Sequence, residues 1–397
     1  MTVNSADFDF AAVRKAMQRY VDRELLAGVS YAVLLGRDLV EMHCVGLADR
    51  EQKSPLRVDH LFRVFSNTKL ITSCAALLLL EQGHFGLDDP IERYIPQLAA
   101  RRVLRPRAAT LADTEPANGP ITIRHLMSHG SGLSYGLLDP GTLIYRAYNE
   151  RKVLNPEASL ADMIEVLADL PLLFHPGTAW EYSVATDVLA RLVELVSNQR
   201  FDTFIQSRIL DPLGMADTAF VVPEAKRHRL TAYYAGADPL DPMKPGLTRT
   251  DAAPYPGAYL RPFLRLSGGG GLVSTLPDML ALLRSLLPGG DTLLKPATIA
   301  SMMTNQLRQG LNIQFPMSGV AHGKGFGLAG SVTLAPGELE PASVIGELQW
   351  GGIAGTHWWI SPRAKLAAAL MTQRQMGFWH PFSFEFKRLV YQACGAA

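Results

Sequence analysis

Cysteine is scarce. Cys44, Cys74 and Cys394 are the only three in 397 residues, too few and too scattered for a disulfide framework or a zinc cluster. Long apolar runs are missing too: the longest, Leu70 to Leu80, is interrupted by Thr72 and Ser73 and is too short to span a bilayer. Neither sign of charge dominates, with 38 basic and 37 acidic residues and a net charge of +1. That balance argues against nucleic acid or an anionic membrane as the main partner. The opening stretch MTVNSADFDFAAVRKAMQRY carries acids early and has no apolar centre, so it does not read as a signal peptide. A soluble, cytoplasmic globular protein is expected. What the chain does have is apolar content of 48% with 8% aromatics, enough to build a large core and to exclude general disorder.

The hydrophobic pattern predicts a helix over 8–26, closed by Gly28. Two β-rich runs, 29–35 and 39–47, are joined by Gly36-Arg37-Asp38 as a hairpin. A long helix is predicted from Ser66 to Gln82, stopped by Gly83. The middle, about 97 to 265, reads as helix-rich with loops dense in Pro, Gly, Asp and Thr, and a helix starts at Thr186. Helices near 277–287 and 296–305 precede strand-like runs at 328–334, 343–350, 356–361 and 366–372, and Phe382 to Cys394 reads as a closing helix. One sheet built from both termini with a helical insertion follows: an α/β unit from 1–96 plus 266–397, and a helical unit from 97–265.

Three signals carry chemistry. In Ser66-Asn67-Thr68-Lys69 the serine and lysine share a helix face. The helix that follows is apolar almost all round, so it should be buried between layers. A buried helix start favours developing negative charge, and desolvation disfavours a charged lysine, so a partly neutral Lys69 could take the Ser66 proton. Alone, a serine three residues before a lysine recurs by chance in many chains. In Pro176-Gly177-Thr178-Ala179-Trp180-Glu181-Tyr182-Ser183-Val184 a turn delivers Tyr182, a structural anchor unless it faces a serine–lysine pair. In Gln349-Trp350-Gly351-Gly352-Ile353 two glycines end a β-like run, allowing a ligand or backbone to approach closely, though an edge bulge looks the same.

Taken in this order and at these separations, the signals resemble the serine hydrolases of the class C β-lactamase and penicillin-binding-protein type, and more closely the family VIII carboxylesterases. Leu126-Met127-Ser128-His129-Gly130-Ser131-Gly132-Leu133, Pro212-Leu213-Gly214-Met215 and the glycine run through Leu272 extend the likeness over nearly the whole chain. The resemblance implies a β-lactamase-like antiparallel sheet flanked by helices, with the active-site cleft between it and the inserted helical unit. It also implies a serine carboxylesterase for short-chain neutral esters, working through an acyl-enzyme on Ser66. Lys69 and Tyr182 would move protons, the backbone N–H groups of Ser66 and Ile353 would bind the oxyanion, and Trp350, Gly351, Gly352, Val184 and Tyr135 would surround the substrate. No metal or organic cofactor is implied, and the partner is a small-molecule ester. Two departures from the β-lactamase pattern favour esters over lactams: Val184 stands where those enzymes carry asparagine, and Trp350 stands where they carry a cation. The alternatives are a β-lactam or D-amino-peptide hydrolase, an acyltransferase, or an inactive binding member.

Other matches are weaker. Gly132-Leu133-Ser134-Tyr135-Gly136 fits the nucleophile-elbow pattern, but no strand precedes it and Leu137 to Gly141 is a poor helix start. His125 and His129 have helical zinc spacing without the glutamate or a third ligand. Gly323-Lys324-Gly325-Phe326-Gly327 reads as a turn entering a strand, and Cys74 as a core residue. Trp358, Trp359, Phe378 and Trp379 read as core or pocket wall.

Overall fold

The run Gly28–Leu35 is apolar at nearly every position and forms β1, buried on both faces. The computed structural model describes residues 8–137, 140–251, 254–316, 319–338 and 340–396. The first seven residues of the opening stretch, and Leu138 and Asp139 after the elbow-like pattern, lie outside them. Gly36, with φ +58°, turns the chain into β2 (Asp38–Asp49), and β3 (Ser54–Pro55) pairs with its end. The other strands of this sheet come from the far end of the chain: β4 (Lys324–Phe326), β5 (Ser331–Thr333), β6 (Leu348–Gly351), β7 (His357–Ser361) and β8 (Leu366–Thr372). The eight strands run in the order β4-β5-β6-β7-β8-β1-β2-β3, antiparallel throughout. β1 and β8 close the chain ends together over a register from Val29↔Thr372 to Leu35↔Leu366.

The two-residue period of the strands assigns side chains to two cores. Tyr31 and Val33 of β1, with Leu366, Ala368 and Leu370 of β8, face α1 (Ala11–Asp22) and the C-terminal helix. Ala32 and Leu34, with Ala367, Ala369 and Met371, join the larger core on the opposite face. That core contains α2 (Thr68–Glu81), in which every residue from Thr68 to Leu79 is buried. An all-round apolar helix has no face to offer water, and this one has neighbours on every side. It packs on α6 (Ala185–Ser197), which in turn contacts α3 (Ile123–Met127) and α5 (Leu160–Ala168). α4 spans Leu143–Glu150, and α7 (Phe201–Ile205) continues through a π-helical turn into α8 (Asp211–Leu213). α9 (Leu276–Ser285) and α10 (Pro296–Met302) lead back towards the sheet, and α11 (Pro381–Ala393) is the C-terminal helix.

The expected β-lactamase-like architecture is therefore present, with shifted boundaries. The Ser66 helix begins at Thr68, because a separate tight turn, Phe65–Asn67, precedes it. The strand-like run 343–350 shrinks to Leu348–Gly351, since Ala342–Val344 is a helical turn and Gly346 takes φ +84°. Among the described residues no helix is long and apolar enough to cross a membrane. Leu77, 1% exposed in the middle of α2, tests the core that carries the site. Leu77→Ala should lower unfolding stability by about 2–5 kcal/mol, measured by chemical denaturation.

Candidate active site

Ser66 is delivered by a strained piece of backbone. Phe62–Arg63 pairs with Val273–Ser274, and the Val64 amide donates to the Leu272 carbonyl at 3.1 Å, so the chain reaches the turn already anchored. Phe65 then takes φ +43°, unfavourable for a residue with a Cβ, and its ring packs between Tyr233 and Tyr259 at centroid distances of 5.6 and 6.1 Å. Ser66 follows at the entrance of α2, where unpaired N–H groups and the positive end of the helix dipole gather. Lys69 lies one turn on, 3% exposed; its Nζ donates to the Gly269 carbonyl at 2.7 Å and lies 3.5 Å from Ser66 Oγ.

Tyr182 arrives from the other side. Its hydroxyl donates to Ser66 Oγ at 2.7 Å. The loop that carries it is tied to the 129–136 segment by backbone bonds: Gly177 N to Gly130 O at 2.8 Å, Glu181 N to His129 O at 3.1 Å and Val184 N to Ser134 O at 3.1 Å. Ser183 Oγ adds a side-chain contact to His129 Nδ1 at 3.0 Å. Tyr182 stacks on Tyr135 with centroids 5.3 Å apart, and Lys69 Nζ sits 4.6 Å from the Tyr182 ring centre and 5.2 Å from that of Tyr135.

The glycines of β6 bring the third element close. A Cβ on Gly352 would lie 2.5 Å from the Val64 carbonyl and 2.5 Å from Thr356 Oγ1, so only glycine lets this strand end meet the backbone before Ser66. The next amide, Ile353, has no hydrogen-bond partner among the described residues, and Ile353 lines the same cavity as Ser66. That cavity measures about 740 Å³ including its open mouth, and none of its described lining residues is charged.

Several residues stand differently from the sequence expectation. Burial lowers the Lys69 pKa, but Tyr135, Tyr182 and Asp187 outweigh it and carry the value above that of an ordinary lysine. The shift runs opposite to the one expected from burial alone. Of the five residues expected around the substrate, Trp350, Gly351 and Tyr135 line the cavity. Val184 does not: it is fully buried at the start of α6, its amide held by the Ser134 carbonyl. Gly352 also stays off the wall, packed against Val64 and Thr356. Phe378 and Trp379 are wall, whereas Trp358 and Trp359 are core.

Ser134 is buried and donates to the Glu181 carboxylate at 3.2 Å, which Tyr145 OH also contacts. Burial raises the Glu181 pKa. His125 closes the capping box of α3 with Thr122, and no metal-holding cluster occurs among the described residues. Sequence reasoning missed Gly269 as the Lys69 acceptor, Asp187, and the aromatic wall residue Phe315. The glycine run at 268–271 was the available signal for the first; nothing local marks the other two.

The beta-lactamase family model matches residues 13–381. The chain belongs to the beta-lactamase family. Within that family, Esterase EstB of Burkholderia gladioli is 31% identical over 384 residues, covering 93% of this chain and 92% of its own. Monacolin J acid methylbutanoyltransferase of Aspergillus terreus is 30% identical over 371 residues, covering 86% of each. Among solved structures, EstCE1, described as a hydrolase with promiscuous acyltransferase activity, superposes with a TM-score of 0.82 at 26% identity, covering 98% of this chain and 100% of its own. A relative named as an esterase agrees with the expectation of a carboxylic ester hydrolase.

Buried histidines give this beta-lactamase-family chain a pH dependence. Burial pushes His357 and His380 down to about 4, and His129 well below its ordinary 6.5. The unfolded chain therefore binds more protons than the folded one between 6.5 and about 4. Stability is full above that window and is lost as pH falls through it. Urea midpoints should drop measurably from about pH 7 to about pH 5, and replacing His380 by Gln should flatten part of that drop.

Proposed function

We propose that the protein is a serine carboxylesterase of the family VIII branch, hydrolysing short-chain neutral acyl esters through an acyl-enzyme on Ser66. The observation that carries this reading is the 2.7 Å hydrogen bond between Tyr182 OH and Ser66 Oγ, with Lys69 Nζ at 3.5 Å. A hydroxyl held by two groups able to exchange protons is the arrangement an activated nucleophile needs. Ser66 Oγ forms a bond to the ester carbonyl carbon, its proton passes to the Tyr182–Lys69 pair, and the carbonyl oxygen becomes an oxyanion. The N–H groups of Ser66 and Ile353 stabilise that charge, a contribution of about several kcal/mol. The carbon–alkoxy bond then breaks and the alcohol leaves with the proton. Water adds to the acyl-enzyme by the same route in reverse, releasing the acid and restoring Ser66.

We take Lys69 as an ammonium in the resting state, so the reactive form is the one in which the Lys69–Tyr182 pair has lost one proton. The nearer acceptor for Ser66 is the tyrosine oxygen, with lysine providing a fixed positive charge beside it. We take the working molecule as an α/β unit of 1–96 with 266–397 and an inserted helical unit of 97–265. The first supplies Ser66 and Lys69, the second supplies Tyr182 and Tyr135, and the cavity is lined by both.

A second reading, transfer of the acyl group to an alcohol instead of water, is favoured by the methylbutanoyltransferase relative. An added acceptor alcohol would then divert product from acid to ester. Ser66→Ala should abolish ester hydrolysis, a fall of up to about a millionfold, while Ser134→Ala should keep most of it; steady-state kinetics on both decides between the two serines. Tyr182→Phe should cut turnover strongly with its melting temperature nearly unchanged. The uncharged cavity wall predicts kcat/KM for p-nitrophenyl butyrate at least about tenfold above that for benzylpenicillin, whose carboxylate finds no charged partner there. Cleavage of both at similar rates would replace the esterase reading with the lactamase one.

A further inference from the structure

Asp187, near the start of α6, belongs to none of the three motifs. It is fully buried, and its Oδ2 has no hydrogen-bond partner among the described residues. An orphaned carboxylate oxygen of this kind is costly unless it faces positive charge. Gly269 shows what it faces: a Cβ built there would lie 2.6 Å from Asp187 Oδ2, 3.1 Å from Tyr135 OH and 3.3 Å from Lys69 Nζ. The three polar atoms gather around one point that glycine leaves empty, so carboxylate and ammonium lie within about 6 Å of each other. The other oxygen is fixed from behind, accepting from Ser267 Oγ at 2.7 Å, with Arg265 Nη1 at 3.9 Å and the arginine itself largely buried.

We propose that Asp187 is a positioning residue that holds Lys69 in its protonated form and thereby sets the pH at which Ser66 becomes nucleophilic. This rests on the reading of Ser66, Lys69 and Tyr182 given above. The charged and titratable groups facing Lys69 are Tyr135 from the segment after α3, Tyr182 from the loop before α6, Asp187 from the first turn of α6, and His129 behind the tyrosines. Asp187 is the acid among them, so its charge opposes loss of the proton that must leave the Lys69–Tyr182 pair. Arg265 stands behind Asp187 and weakens that effect. Tyr135 is pushed up to about 12, chiefly by burial, and the same carboxylate contributes to the rise.

The test is the rate at which a neutral, serine-reactive phosphonate labels Ser66 as a function of pH, followed by intact mass and peptide mapping. Asp187→Asn keeps the shape and the acceptor for Ser267 but removes the charge. It should move the ascending limb of the labelling profile down by about one pH unit. Arg265→Gln should move it up, which a purely structural role for the pair would not do. A limb that stays in place in Asp187→Asn, with rates lowered equally at all pH values, overturns the proposal. If Asp187→Asn does not fold, an unmoved limb in Arg265→Gln overturns it as well. Absence of label on wild-type Ser66 would instead overturn the nucleophile assignment, so the two failures are distinct.

Discussion

The pairing of β1 with β8 is the constraint from which the rest of the molecule follows. Seven registered residue pairs join Gly28–Leu35 to Leu366–Thr372, two segments separated by most of the chain. Such a pairing carries a large loop-closure cost, offset by burial on both faces of both strands. β7 and β6 extend the sheet beyond β8, and α2 packs in the larger core on one of its faces. The glycine end of β6 then meets the backbone at Val64, one residue before the strained Phe65. The environment of Ser66 is thus assembled by contacts between distant parts of the chain and not by a local motif.

A second unit completes it. The Leu126–Leu133 stretch, which contributes to the family likeness, has no reacting group of its own. Its work is mechanical: its carbonyls at 129, 130 and 132, with that of Ser134 just beyond it, receive amides at 181, 177, 173 and 184 and hold the Tyr182 loop in one position. His129 takes φ +59° and packs its neutral imidazole against Tyr182 and Trp180, with Ser183 bound to its Nδ1. A histidine in this setting is a spacer with a polar edge. Ser134, in the elbow-like pattern, belongs to the same brace through Glu181.

Much of this was legible in the sequence. The β-rich run 29–35, the strand-like run 366–372 and the apolar stretch after Ser66 became the elements they implied. Residues 343–350 misled because an apolar run cannot show that Gly346 breaks it with a positive φ. The direction of the Lys69 shift was missed for a related reason. Desolvation is written in the neighbouring residues, whereas the groups that oppose it, Tyr135, Tyr182 and Asp187, are brought near only by the fold. Val184 looked like a wall residue because a motif position gives no side-chain direction; the start of α6 turns it into the core.

The division of labour around the cavity has a consequence for descent. Ser66, the β6 end and the Tyr182 loop are located by main-chain hydrogen bonds and glycine contacts, while the wall is made by side chains such as Phe315, Phe378 and Trp379. Exchanging a wall side chain changes the shape offered to a substrate without moving the anchors of the reactive groups. A scaffold of this kind can drift from one substrate to another by single substitutions, each intermediate retaining its chemistry. Relatives named for hydrolysis and for acyl transfer, at about 30% identity to the same chain, are what such freedom would leave behind.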